Sequence, residues 1–340
     1  MRVSRVSFFF FILTYNYLLL RAIIFPYLYN NYGVNGYIYI GIILFIVLLF
    51  FLALPKKVID YNLLEKYKNS KLKYLFNTIL LLRIVFGAYY GAMTIGYLFF
   101  KNTNYYILAF GLFLLIYILS SLKPSDVIQI STLFGIVILI IYLTYMLGNV
   151  SPDFSMLYLF YDFKILPYIF IFPILLIGDN ILLLLCNKDD FVFSKKTFSF
   201  GIFVTFLFFC FEYVNLVLTS GDIYYKNMEY LGFVPLQIKS VSRYLGSFEY
   251  VYILLITASS VFKFSYFFSI VKESYSFKKI NENIVYILII LFISLLVLFI
   301  NYYNLFVNVL TIFVGVCFFM LIFIINNVYI KKEWYNAWKI

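Results

Sequence analysis

Residues 172–185, FPILLIGDNILLLL, decide the fold class of this chain. The stretch is apolar enough to lie in a bilayer, yet it contains a proline, a glycine and then Asp179. Apolar runs of this kind recur along all 340 residues, of which 65% are hydrophobic and 12% are charged. This composition excludes a soluble globular domain and is typical of an integral membrane protein. We therefore expect an all-α fold of membrane-spanning helices.

A window of about 20 residues, the length of helix that crosses a bilayer, predicts about ten spans. They cover roughly residues 7–28, 35–54, 74–100, 104–122, 127–147, 165–186, 198–219, 248–271, 283–301 and 303–329. The whole chain, 1–340, reads as a single polytopic membrane domain without a linker or a separate soluble unit.

Proline and glycine interrupt two of these spans. Pro26 lies near the outer end of span one, and span six contains Pro167, Pro173 and Gly178. Interrupted helices at positions one and six are what a five-plus-five inverted repeat would give, with a binding site near the midplane. The two repeats would cover residues 1–150 and 160–340, although ordinary proline kinking is an alternative explanation.

Basic residues predict the orientation. With the N-terminus inside, inner segments hold eighteen Lys and Arg residues, whereas outer loops hold five: Lys101, Lys164, Lys226, Lys239 and Arg243. Both termini should therefore be cytoplasmic. The net charge of +11 is then explained by topology and by anionic lipid headgroups, so the bilayer is the expected partner and nucleic acid is not.

No metal or cofactor site is expected. The three cysteines, Cys186, Cys210 and Cys317, form no Cys-x-x-Cys pair, and the chain has no histidine. Neither a disulfide framework nor a zinc site is indicated.

Six ionisable residues lie inside or at the mouth of a span: Arg21, Arg83, Asp179, Glu212, Glu249 and Lys263. A charge costs about 2.5 to 3.5 kcal/mol at the centre of a bilayer. Basic side chains can extend toward the headgroups, but the short carboxylates of Asp179 and Glu212 cannot reach that far. Each of these two acids therefore needs a partner, a proton or a water-filled cavity.

The positions of these residues predict two charged layers. Asp179 precedes inner Lys188 by nine residues, Lys263 precedes inner Lys272 by nine, and Arg83 follows inner Lys73 by ten. At about 1.5 Å per helical residue these three lie at similar depth. Glu212 and Arg21 lie at a second depth, nearer the outer side.

Several stretches together resemble the B subunit of the spore-germination nutrient receptors, a branch of the amino acid, polyamine and organocation transporter superfamily. They follow the family's order: IIFPYLYNNYGVNGYIYIG (23–41), LPKKVIDYNLLEKYKNSKLKYLFN (54–77), LKPSDVIQISTLFGIVILII (122–141), FPILLIGDN (172–180) and FVPLQIKSVSRYLGSFEYVYILLITASSVFKFSYFF (233–268). The chain departs from the family pattern in two places, one in span one and one before span eight. Leu19, Leu20 and Arg21 stand where small residues are usual, and Ser247 stands where a basic residue often precedes the acid, here Glu249.

The resemblance implies a transporter-like fold in which spans one, three, six and eight surround a small-molecule site and spans one and six are unwound at the ligand. The implied ligand-binding residues are Tyr15, Asn16, Arg21, Tyr89, Tyr90, Gly178, Asp179 and Lys263. Arg83, Glu212 and Glu249 would form a buried charge network around them. Tyr89 and Tyr90 belong to GAYYG (87–91), a pattern that is also typical of helix packing.

The function implied is that of a receptor subunit rather than an enzyme. It would lie in the cell membrane or the inner spore membrane, bind a small nutrient such as an amino acid, and trigger germination together with an A-type membrane subunit and a C-type lipoprotein. Two alternatives stay open. One is an amino acid or cation transporter with Asp179 and Glu212 as ion or proton sites. The other is a surface-polysaccharide polymerase or flippase, for which Lys239 and Arg243 are the available loop residues.

Overall fold

The structure is a computed structural model that describes residues 3–32, 35–54, 73–99, 105–147, 168–185, 195–220, 249–274, 314–317 and 319. These residues are nearly all helical. The helices are α1 Arg5–Leu18, α2 Phe25–Tyr32, α3 Gly36–Ala53, α4 Lys73–Phe99, α5 Tyr105–Leu119, α6 Pro124–Leu147, α7 Tyr168–Ile181, α8 Lys195–Ser220 and α9 Glu249–Ser274. A π-helical segment, Leu19–Ile24, joins α1 to α2, and a 3-10 turn, Leu182–Leu185, extends α7.

The helices match the first eight predicted spans. Within the described part of the chain, five are long and apolar enough to cross a bilayer: Arg5–Leu28, Gly36–Ala53, Phe76–Gly96, Lys196–Val214 and Leu254–Glu273. Three shorter apolar helices, Ile107–Leu119, Pro124–Ile140 and Phe170–Ile181, occupy the places of spans four, five and six. The all-α membrane class is thus confirmed. Spans nine and ten lie outside the described residues except for 314–317 and 319, so the count of ten and the division into two repeats stay predictions.

The bundle has apolar residues on its outside and polar residues in its centre. Phe45, Ile107, Leu133 and Phe200 are each at least 60% exposed on the outer faces of α3, α5, α6 and α8. In contrast, the centre buries a set of polar side chains that includes Thr14, Asn16, Arg83, Asp179, Asn180, Ser259 and Lys263. Large exposed apolar surfaces suit contact with lipid tails, and buried polar groups must find partners inside the protein.

Two glycines bring α4 against α9, the helix at the centre of the bundle. A methyl group added to Gly87 would overlap the ring of Phe264, and one added to Gly91 would meet the Ser260 hydroxyl at 2.7 Å. Gly87 and Gly91 belong to GAYYG, so packing of this small-xxx-small pattern is confirmed. The two contacts run in opposite directions along the chain, so α4 and α9 are antiparallel where they meet. In this register Arg83, one turn before Gly87, and Lys263, one residue before Phe264, lie on neighbouring helices about 7.5 Å apart along the helix axis, within reach of one another's long side chains.

A third glycine brings α6 against α1. A Cβ atom added to Gly135 would lie 2.6 Å from the Phe10 Cβ and 2.7 Å from the Phe10 backbone oxygen. Because one of these atoms belongs to the backbone, the contact cannot be relieved by a side-chain rotation. The backbone of α1 therefore sits directly on α6, and the position of α1 depends on this glycine.

We expect Gly135→Ala to destabilise the protein by about 1–3 kcal/mol, since added volume in a packed interface forces backbone shifts. Gly111→Ala is the matched control: Gly111 lies on the exposed face of α5, with open space where the new methyl would go. The control should be neutral or slightly stabilising, because alanine favours the helix more than glycine does. Thermal unfolding of the detergent-solubilised variants measures both. Equal effects of the two substitutions would contradict the close approach of α1 and α6.

Candidate functional site

The candidate site is built around the carboxylate of Asp179. Arg83 Nε and Nη2 donate to Asp179 Oδ1 and Oδ2 at 3.3 and 2.9 Å, and Lys263 Nζ donates to Asp179 Oδ2 at 2.5 Å. This is the forked geometry in which a guanidinium binds a carboxylate most strongly. The three side chains come from α4, α7 and α9, the helices of spans three, six and eight. We call Arg83, Asp179 and Lys263 the charge cluster.

The charge cluster is closed off from its surroundings. Relative exposures are 2% for Arg83, 1% for Asp179 and 0% for Lys263. The basic side chains thus do not extend toward the headgroups. Their distances in sequence from the lysines at the inner helix ends predict that these three residues lie at a similar depth in the bilayer, and the ion pairs confirm that they meet.

The charge cluster holds two cations and one anion, and these are the only ionised partners that its members have among the described residues. With all three groups ionised it carries one net positive charge in a medium of low dielectric constant. A buried charge without a counterion is costly. The site is therefore electrostatically prepared for a negatively charged group.

Tyr15 of α1 contacts both Asp179 and Lys263 of the charge cluster. Its hydroxyl donates to the Asp179 backbone oxygen at 2.5 Å, and its ring centre lies 4.5 Å from Lys263 Nζ. A cation over an aromatic face is attracted by the ring quadrupole, most strongly when water is excluded. Tyr15 thus ties α1 to α7 and offers the second cation an apolar partner that does not neutralise it.

Asn16 and Asn180 join α1 to α7 by a reciprocal pair of hydrogen bonds. Each amide nitrogen donates to the other's side-chain oxygen, at 3.0 and 2.9 Å. Each nitrogen also donates within its own helix, Asn16 to Ile12 O and Asn180 to Leu176 O. The contact is therefore equivalent from either side, as it would be across a local two-fold axis.

Ser259 of α9 hydrogen-bonds to the backbone of span one next to this pair. Its hydroxyl accepts from Leu18 N–H at 3.0 Å and donates to Thr14 O at 2.5 Å. These are the donor and acceptor that bond directly in an uninterrupted α-helix. A hydroxyl that bonds to both of these groups competes with the direct backbone bond, and the π-helical segment begins at the next residue, Leu19. Single π turns inside α-helices are frequent at functional sites.

Arg21 and Glu212 form a second buried charge pair, separate from the charge cluster. Arg21 lies in the π-helical segment, and its Nη2 binds Glu212 Oε1 of α8. Both side chains are buried, with exposures of 6% and 2%. The depth argument placed these residues in one layer, and their ion pair confirms it. Arg83, assigned from the sequence to the surrounding network, contacts Asp179 directly. The assignment of Arg21 to the ligand stays a prediction.

The other residues predicted for the site do not contact the charge cluster through any interaction described above. Gly178 faces away from the charge cluster, because a Cβ added there would meet Gly315 O and Phe319 Cβ at 3.2 Å each. Tyr89 is buried and Tyr90 half-buried on α4, and their place in ligand recognition stays a prediction. Glu249 is the first residue of α9, and its side chain lies outside what the structure describes.

The expected unwinding of span six at Gly178 and Asp179 is not found. Both residues lie within α7, which is α-helical up to Ile181, and the change to 3-10 geometry comes at Leu182. Span one departs from α geometry at Leu19–Ile24 but stays helical. In α1 the hydroxyl of Ser259 bonds to Leu18 N–H and Thr14 O just before this change of geometry.

Two residues of the site were missed in the sequence. Asn180 follows Asp179 directly, and a primary amide inside a span is a signal comparable to a charge because it too needs a buried partner. Ser259 gave no usable signal, since serine is common at helix contacts in membranes.

No protein-family model and no curated protein matches this chain. The resemblance to germination-receptor B subunits rests on the residues quoted for it.

Because the charge cluster carries one excess positive charge, we expect substitution of its acid and substitution of Lys263 to have unequal effects on stability. Asp179→Asn leaves two buried cations without an acid and should destabilise the protein by about 3–5 kcal/mol. Lys263→Met keeps the Arg83–Asp179 pair and removes the unmatched charge, so it should cost less than about 1.5 kcal/mol. Thermal unfolding of the purified variants decides between these outcomes. A loss for Lys263→Met as large as that for Asp179→Asn would show that Lys263 is not in excess.

The hydrogen bonds of Ser259 to the α1 backbone can be tested by substitution, with the neighbouring Ser260 as the control. Ser259→Ala removes the hydroxyl from between Leu18 N–H and Thr14 O and should cost about 1–3 kcal/mol. The Ser260 hydroxyl is buried without a hydrogen-bond partner in the described part of the chain, so Ser260→Ala should be neutral or stabilising. Unfolding temperatures of the two variants, measured side by side, test the difference. Identical values would exclude the bridge.

Proposed function

We propose that this chain is the ligand-binding membrane subunit of a spore nutrient receptor. The observation that carries the proposal is the closed, positively biased charge cluster at the meeting point of spans one, three, six and eight. Ionisable residues inside a membrane domain mark functional sites by default, because their insertion is costly. The family resemblance supplies the receptor role, and both termini are proposed to be cytoplasmic on the basis of the lysine and arginine distribution.

An amino acid fits the chemistry of the charge cluster. Its carboxylate would bind one of the two cations, since charge-assisted hydrogen bonds to arginine and lysine are the strong ones. Its ammonium group would compete with Lys263 for the Asp179 carboxylate. Binding must therefore break one of the ion pairs that hold α4, α7 and α9 together. A ligand changes the conformation only by this kind of differential interaction with two states.

Ser259 supports a path from the ligand site to the rest of span one. It lies one helical turn before Lys263 on α9 and hydrogen-bonds to the α1 backbone just before the π-helical segment begins. A shift of α9 on ligand binding would move this hydroxyl and change the geometry of Leu19–Ile24. The A-type membrane subunit and the C-type lipoprotein are the proposed recipients of that change.

The finer fold proposal is a ten-span, five-plus-five inverted repeat. In such a repeat, span one corresponds to span six, span three to span eight and span five to span ten, and contacts between corresponding spans are equivalent from either side. The reciprocal Asn16–Asn180 contact supports the first pairing, and the α4–α9 packing supports the second. Glycine contacts support the third, because Gly135 of span five approaches Phe10 of span one and Gly178 of span six approaches Gly315 in predicted span ten.

Ligand binding by purified protein tests the site. Binding of labelled amino acids should fall by at least tenfold in Arg83→Gln, since loss of a buried charge-assisted bond costs about 1.5–3 kcal/mol. Lys123→Gln, an exposed lysine in the turn between α5 and α6, should bind as the unmodified protein does. Unchanged affinity in Arg83→Gln would place the ligand elsewhere.

The receptor and the transporter are separated by uptake. Proteoliposomes that contain this chain alone should bind the amino acid without accumulating it, and deletion of the gene should abolish germination on the same nutrient. Uptake driven by an ion gradient would favour the transporter alternative, for which the buried Asp179 and Glu212 remain suitable ion or proton sites.

A further inference from the structure

A groove of about 820 Å³ opens on the outside of the bundle, and none of the charge cluster's three residues lines it. It lies between the start of α1, the start of α8 and the end of α3. Its rim carries two exposed basic residues, Arg5 and Lys196, on the first turns of α1 and α8. We propose that this groove binds one anionic phospholipid, with the phosphate at the basic rim and an acyl chain along the groove.

The rim suits a phosphate for two reasons. Arg5 and Lys196 belong to different helices and line the same groove, so one anion can bridge them. Both helices begin at this end, and a helix start presents unpaired backbone N–H groups and a partial positive charge. No acidic residue lines the groove among the described residues. Within this described set, the charge of the rim is therefore complementary to a negatively charged headgroup.

A polar side chain inside the groove points to a specific ligand. Ser199 lines the groove and is only 7% exposed, and its hydroxyl has no hydrogen-bond partner in the part of the chain described. A buried hydroxyl left unsatisfied is costly. After rotation of the Ser199 side chain toward the groove, a phosphate or glycerol ester oxygen that enters past Lys196 would supply the missing acceptor one turn below the rim.

Below the rim the groove becomes apolar and aromatic. Phe200 and Phe203 line it at 64% and 42% exposure, and Phe9 faces them from α1. Phe203 lies seven residues beyond Lys196, about 10 Å deeper along the helix axis at 1.5 Å per residue. The order of charge, hydroxyl and hydrocarbon-like surface along this axis is the order of groups in a phospholipid.

The charged rim, not the apolar wall, is what selects the lipid. Lipid tails are as apolar as leucine, so a hydrophobic groove by itself gains little from one lipid over another. A basic pocket between helices at a membrane surface, in contrast, prefers anionic headgroups over neutral ones. The site therefore discriminates by headgroup charge and does not depend on the proposed ligand of the charge cluster.

Native mass spectrometry of the full chain, released from mixed micelles with equal amounts of phosphatidylglycerol and phosphatidylcholine, tests the proposal. One phosphatidylglycerol should be retained per chain. Arg5→Gln and Lys196→Gln should each lower the preference for phosphatidylglycerol by on the order of fivefold, the contribution of one basic residue at an anionic surface. Lys123→Gln removes an equally exposed charge away from the groove and should leave the preference unchanged.

A second pair of variants leaves all charges in place. Leu52→Trp narrows the groove from its α3 side, whereas Ile107→Trp adds the same bulk to an exposed apolar position on α5. Only Leu52→Trp should lower retention of phosphatidylglycerol. The proposal is overturned if Lys123→Gln acts like the two rim variants, which would indicate a general surface-charge effect. It is also overturned if the Arg5→Gln, Lys196→Gln double variant keeps the preference, which would leave the groove to a protein partner.

Discussion

The Asp179 carboxylate, held between the Arg83 guanidinium and the Lys263 ammonium, is the interaction on which the described bundle depends. It draws α4, α7 and α9 to one point, and Tyr15 adds α1 through the backbone oxygen of the same aspartate. Burying ions is expensive, and such pairs contribute specificity of arrangement more than net stability. In an apolar bundle, where many helix packings have similar energies, the requirement to satisfy these charges selects one packing.

The close approach of the helices follows from the same requirement. An ion pair needs its atoms within about 3 Å, and glycine allows the backbones to come near enough. Gly87 lets α4 lie against the ring of Phe264 and Gly91 lets it lie against Ser260, and Arg83 and Lys263 reach one carboxylate from these two helices. Gly135 does the same for α1 and α6. Small residues at the interfaces and charges in the centre are thus two parts of one arrangement.

Two features near the centre of the bundle are suited to a conformational change. The α1 backbone is hydrogen-bonded by a hydroxyl from α9, and the charge cluster has one cation more than its acid can match. The proposed ligand would act on both features if its binding moved α9 through Lys263. Packed interfaces move between discrete arrangements and do not deform continuously, so a shift of one ion pair is enough to reposition a helix.

The sequence by itself determined the membrane class, the positions of the first eight helices and the partners of the buried acids. Hydropathy over 20 residues and the uniform rise of a helix are properties of a single segment, so depth along the bilayer can be counted from the lysines at the helix ends. That count grouped Arg83, Asp179 and Lys263, and separately Arg21 and Glu212, before any contact was known. It did not determine which face of each helix the residues occupy around its axis. The tertiary structure decided that Gly178 turns toward Gly315 and that Ser259 hydrogen-bonds to the backbone of α1. It also decided that span one departs from α geometry at Leu19–Ile24 whereas span six stays α-helical at Asp179, because these outcomes depend on the rotation and distance of neighbouring helices.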